Sequence, residues 1–67
     1  MDTIKRVQDL MQERDMNLCV LAKKCGISYS TIQTTARRGG QLSVETIERI
    51  CLGLGITLKG FFDSSYL

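Results

Sequence analysis

The stretch NLCVLAKKCGISYSTIQTTAR, residues 17–37, decides the fold. Two short helix-compatible segments meet at Gly26, with Ala22 four residues before it and Ile32 six residues after it. That spacing predicts a helix-turn-helix. Ala22 falls where the two helices approach most closely, and a methyl is about all that fits there. Gly26 supplies the positive φ of a tight turn, which is costly for other residues. Ile32 faces the core and locks the second helix onto the first, with Leu21 and Ile27 completing the structural set. The outer face of the second helix is left free.

Working outward, five helical segments can be read, at about 2–14, 18–25, 29–38, 44–54 and 58–63, and no strand signal competes with them. Ile4, Val7, Leu10 and Met11 recur at helical spacing in the first, which begins at Asp2 or Thr3. Asn17 is placed to cap the second, whose face Leu18, Leu21, Ala22, Cys25 follows i, i+3, i+4, i+7. Ser28 can cap the third, which Gly39-Gly40 terminates. Ser43 caps the fourth, Glu45 in its first turn suits the helix dipole, and Val44, Ile47, Ile50, Cys51 and Leu54 form its apolar stripe. Gly53 permits close helix packing at ~1 kcal/mol against Ala, and Thr57 can cap a short last helix carrying Leu58, Phe61 and Phe62. Short connections suit one all-α bundle spanning residues 1–67.

Composition narrows the function classes. A 67-residue chain buries only about 60% of the surface its unfolded form exposes, so modest stability is expected. A hydrophobic content of 43% argues against disorder, and no long apolar run resembles a membrane span or signal peptide. A cytoplasmic protein is expected. Three cysteines (Cys19, Cys25, Cys51) without a CxxC pair, and no histidine, argue against a metal site. Cys25 and Cys51 read as small buried thiols on apolar faces, Cys19 as the more exposed one. No nucleophile–base pair is present, so neither an enzyme nor a cofactor nor a small-molecule substrate is expected.

Net charge is only +2, from nine basic and seven acidic residues, but its distribution is uneven. Lys23, Lys24, Arg37 and Arg38 cluster in the helix-turn-helix, and no carboxylate lies between Asp15 and Glu45. A nearly neutral domain can thus present one positive face to a DNA duplex, with the second helix of the motif entering the major groove.

The run Leu21-Ala22-Lys23-Lys24-Cys25-Gly26-Ile27-Ser28, then Ser30-Thr31-Ile32, Leu42-Ser43-Val44-Glu45-Thr46-Ile47, Ile50-Cys51-Leu52-Gly53-Leu54-Gly55-Ile56 and Phe61-Phe62, resembles the lambda repressor and Cro family, the Xre-type helix-turn-helix proteins. The likeness spans roughly residues 3–63. It implies a five-helix lambda-repressor-like DNA-binding domain in which helix three reads the operator. The matching base-contacting positions are Tyr29, Ser30, Gln33 and Thr34, with Arg37 toward the helix end. Gln33 can make a paired contact to adenine, Arg37 can address guanine or phosphate, and Ser30 and Thr34 can bond or touch a thymine methyl. Tyr29 can pack on sugar or donate to phosphate. Lys23, Lys24, Ser28 and Arg38 are the candidates for backbone contacts.

Three departures stand out. Leu18 occupies the position where the family usually opens helix two with a phosphate-gripping Gln, and Cys19 and Val20 follow where polar residues are common. Thr35 and Ala36 replace an apolar and an acidic residue near the end of helix three. Either DNA binding is weakened, or Leu18, Cys19 and Val20 serve a protein partner; Leu18 can equally complete the helix-two core stripe. The leading expectation is a sequence-specific transcriptional regulator binding a palindrome as a homodimer, because single modules cover only ~600–1,000 Å². Phe61, Phe62, Tyr66 and Leu67 are the candidate dimer surface, against a reading that places the phenylalanines in the core. The alternative is an interaction module on the same fold, antirepressor-like or antitoxin-like.

Overall fold

Capping sets the boundaries of five helices in the computed structural model, which describes residues 2–63: α1 (Thr3–Glu13), α2 (Leu18–Cys25), α3 (Tyr29–Arg37), α4 (Val44–Leu54) and α5 (Leu58–Phe61). The carboxylate of Asp2 accepts from the Lys5 amide, Asn17 from Val20, Ser43 from Thr46 and Thr57 from Gly60, each satisfying one otherwise orphaned donor of a first turn. α2 and α4 have the expected bounds; α1, α3 and α5 end one or two residues early. Ser28 occupies the N-cap position of α3 but makes no side-chain cap bond. Its hydroxyl lies 3.3 Å from that of Ser30 instead, which corrects the expected cap.

Every helix contributes to one core: Val7 and Leu10 from α1, Leu21 and Cys25 from α2, Ile32 from α3, Ile47, Ile50 and Cys51 from α4, and Phe61 from α5. Burying such a side chain is worth about 1.5–3 kcal/mol each. Phe61 is wholly buried, whereas Phe62 stays 39% exposed and meets it edge-on, with ring centroids 5.1 Å apart. Tyr66 and Leu67, the rest of the expected dimer surface, lie outside the described residues.

α2 and α4 pack through Gly53. A Cβ built there would meet the Cys25 Sγ and stand 2.9 Å from the Cys25 Cα, so hydrogen is all the space allows. Cys25 and Cys51 are buried and Cys19 is exposed, as their positions on the helices predict.

Two polar ties close the bundle. Buried Thr3 donates from both its amide and its hydroxyl to Gln41 Oε1, at 2.9 and 2.8 Å, and its hydroxyl accepts from the Leu42 amide at 2.9 Å. The start of α1 thereby holds the segment that leaves α3. Arg6 donates to the Phe61 and Gly60 carbonyls at 2.5 and 2.9 Å and so ties α1 to the end of α5, where the Gly60 carbonyl also accepts from the Asp63 amide at 3.4 Å. No described helix is long and apolar enough to cross a membrane.

Candidate nucleic-acid interface

The turn that sets α3 against α2 is built as the sequence requires. Gly26 adopts φ 66°, and the Ile27 amide donates back to the Ala22 carbonyl at 3.0 Å. Ala22 is 5% and Ile32 3% exposed, so the methyl and the core-facing residue both sit inside the joint, as does wholly buried Leu21. Ile27 is half-buried and packs on the core. Arg49, on α4, reaches the Gly26 carbonyl at 3.5 Å while pairing with Glu45 at 3.3 Å. In sequence Arg49 signals only an i,i+4 partner for Glu45; its reach to the turn emerges from packing.

With Ile32 turned inward, helical geometry places Tyr29, Ser30, Gln33, Thr34 and Arg37 together on the outward side of α3, at positions i, i+1, i+4, i+5 and i+8. All five are exposed. Within this set Gln33 Nε2 donates to the Tyr29 hydroxyl at 2.8 Å. The first turn of α3 carries no acidic residue, so its unpaired amides and the positive end of its dipole meet solvent without competing charge.

Lys23 and Lys24 are exposed in the last turn of α2, and Arg38 is exposed at the end of α3. The ion pairs among the described residues are Lys5–Asp9, Arg14–Glu13 and Arg49–Glu45. They leave Lys23, Lys24, Arg37 and Arg38 uncompensated. Arg37 belongs to the outward side of α3 itself, Arg38 stands at its end, and Lys23 and Lys24 lie beside the turn that leads into it.

The unusual positions resolve differently from one another. Leu18 is half-buried against the core and so serves as the end of the α2 stripe. Cys19 is exposed and Val20 is 47% exposed, an apolar spot at the first turn of α2. Thr35 turns its hydroxyl back onto the Thr31 carbonyl at 2.9 Å, and small, exposed Ala36 leaves open space between α1 and α3. Sequence reasoning missed Thr3 and Gln41, which lie 38 residues apart in the chain and together steady the exit of α3.

Among the described residues, no group of three His, Cys, Asp or Glu side chains is placed to hold a metal ion. A family model described as the Cro/C1-type HTH DNA-binding domain matches residues 6–63. No curated protein and no solved structure gives a significant match.

Proposed function

Because the chain belongs to the Cro/C1-type helix-turn-helix DNA-binding family, we propose that it regulates transcription in the cytoplasm by binding a palindromic duplex site as a dimer, with α3 in the major groove. The observation that carries this reading is the outward side of α3: five exposed polar side chains on a short helix, flanked by cations without acidic partners.

Roles follow from side-chain chemistry. Gln33 offers the donor and acceptor that match adenine, and Arg37 matches guanine or phosphate. Ser30 and Thr34 hydrogen-bond base edges or cover a thymine methyl, and Tyr29 packs at the helix start. Lys23, Lys24, Ser28 and Arg38 bind phosphates, which fix position without carrying sequence information. One such module buries ~600–1,000 Å², too little for tight specific binding alone, so two copies on half-sites about 34 Å apart complete the complex. Phe62, exposed beside buried Phe61, is the apolar side chain that the α5 end offers to a second copy.

A salt titration of binding to a mixed-sequence duplex tests the reading. Three cationic phosphate contacts per copy predict a log–log slope of about −3 for one bound copy and about −5 for two. Absence of binding to any duplex at low salt would favour the second reading, an interaction module, for which exposed Cys19 and Val20 are the supporting feature.

A further inference from the structure

The most exposed large apolar side chain among the described residues is Leu52, 83% exposed on α4. Helical spacing explains it. Ile47, Ile50, Cys51 and Leu54 take the core side and Gly53 meets α2, which leaves Glu48 and Leu52, one turn apart, on the outer side. Beside Leu52 lies a hollow of about 250 Å³, lined by Leu52 itself, Glu48, Cys51, Ile56 and Leu58. The buried Cys51 thiol donates to the Thr57 carbonyl at 3.7 Å, tying α4 to the turn that enters α5 and so fixing the shape of the hollow. Leu58 is a second exposed apolar side chain, and Phe62, one turn further along, extends the face.

A knob and a hole thus stand side by side on one face, as a surface that fits its own copy across a two-fold axis requires. The charges match in the same way. Glu48 precedes Leu52 by one turn and Lys59 follows Leu58; both are exposed, and neither has an ion pair among the described residues. The other charges of α4, Glu45 and Arg49, pair with each other, and Asp63, past the end of α5, forms no ion pair with Lys59. An axis beside Leu52 reverses the order Glu48, Leu52, Leu58 in the second copy, which brings each Glu48 toward the other copy's Lys59. Two opposite charges at the two ends of one apolar face are self-complementary, whatever the net charge.

We propose that a second copy of the chain docks on this face, Leu52 of each copy entering the hollow of the other. So few side chains per copy fall well short of the roughly 20–30 residues a side of a standard interface, so the pair is weak in solution and is completed on a duplex. The fold leaves room for both contacts. α3 packs chiefly on α1 and α2, and α5 on α4, so the docking face lies away from α3 and stays open while α3 is in the groove. The Cα atoms span 26 × 25 × 22 Å, and side chains add several ångströms on each side, so copies centred on half-sites about 34 Å apart are neighbours. Docking itself stands independently of the DNA reading; its part in binding a repeat rests on that reading.

The test follows amide shifts of the full chain, ¹⁵N-labelled, as its concentration rises from about 10 μM to about 1 mM, the range in which so small a contact forms. The expected shifts centre on Glu48, Leu52, Ile56 and Leu58. Leu52→Ala, which changes no charge at an exposed position, weakens the association about tenfold. Glu48→Lys and Lys59→Glu each weaken it about fivefold, and the two together restore it, because each copy then offers the other the same pair reversed. On the inverted repeat enriched from a random duplex pool, Leu52→Ala binds about tenfold more weakly than the parent, yet the two bind an isolated half-site equally. That loss upholds the proposal even where the free pair is too weak to register. Shifts centred on the space between α1 and α3 instead, or a double reversal no better than the single ones, would overturn it. So would the absence of shifts in a chain whose copies bind the repeat independently or bind no duplex. Shifts at Leu52 that persist in a chain without duplex binding uphold the docking face and sink the DNA reading instead.

Discussion

Gln33 and Tyr29 are joined one helical turn apart, the amide Nε2 donating to the phenolic oxygen at 2.8 Å. The bond holds the Gln33 amide in one orientation on the outward side of α3 before any ligand arrives. Its second N–H and its carbonyl are the donor and acceptor that adenine requires. Preorganisation of this kind spares the rotamer entropy otherwise lost on binding.

Tyr29→Phe removes the acceptor and keeps the ring. Discrimination at the base pair that Gln33 contacts should fall about five- to tenfold, the worth of one hydrogen bond of ~1 kcal/mol, with the salt slope unchanged. Competition between matched and singly mismatched duplexes measures this. A uniform loss on all sequences together with a shallower slope would instead place the Tyr29 hydroxyl on phosphate.

Gln33→Ala with Thr34→Ala should relax sequence preference more than general affinity, whereas Arg38→Ala should weaken binding on every sequence and reduce the slope by about 1 for each bound copy. Equal losses on matched and random duplexes for the first variant would remove Gln33 and Thr34 from base reading.

Thr3→Val keeps the shape of a buried side chain and deletes its hydroxyl. The Leu42 amide then loses its acceptor and Gln41 one of its donors, so urea denaturation should show a loss of about 1–3 kcal/mol. The tie lies 38–39 residues apart in the chain, so the same variant should speed hydrogen exchange at the end of α3.

Gly53→Ala sets two effects against each other. Helix propensity favours Ala by ~1 kcal/mol, but the new methyl collides with Cys25 backbone and sulfur, and overpacking of that kind costs about 1–3 kcal/mol or more. We expect net destabilisation by urea denaturation, while Leu52→Ala next to it, at a side chain 83% exposed, stays within about 0.5 kcal/mol of the parent.

Burial raises the thiol pKa of Cys25 above its ordinary 9.0, helped by Cys51 and partly opposed by Lys24; burial, then Glu48, raises that of Cys51. The folded chain therefore keeps protons that the unfolded chain releases first as pH rises. Stability from these two groups is fully present below about pH 9 and declines above it. Urea midpoints measured from pH 8 to 10.5 should fall, and Cys51→Ala should flatten part of that fall.

Much of this architecture is legible in the sequence because its signals are local. Gly26, Ala22 and Ile32 lie within eleven residues of one another, and the stripes of α2 and α4 set their own bounds through Asn17, Gly26, Ser43 and Gly55. The outward side of α3 follows once Ile32 is known to point inward. What local pattern could not reveal depends on packing between distant segments. Thr3 reads as one of two possible helix starts, yet it is the buried anchor for Gln41, and nothing in the local pattern singles out Arg6, yet it binds the carbonyls at the end of α5. Ser28 illustrates the opposite failure: its type and position suit a cap, but its hydroxyl turns toward Ser30. Phe61 and Phe62 are indistinguishable by type, and only the course of α5 sends the first inward and leaves the second outside.

The central claim is that α3 reads duplex sequence through its outward side chains, and selection of binding sites from a random duplex pool tests it most directly. The account predicts enrichment of an inverted repeat with half-site centres about one helical turn, or a multiple of it, apart. The same selection with Gln33→Ala should lose preference at one symmetric pair of positions. A pool that emerges without any enriched sequence, at a salt concentration where the protein binds duplex, would contradict it.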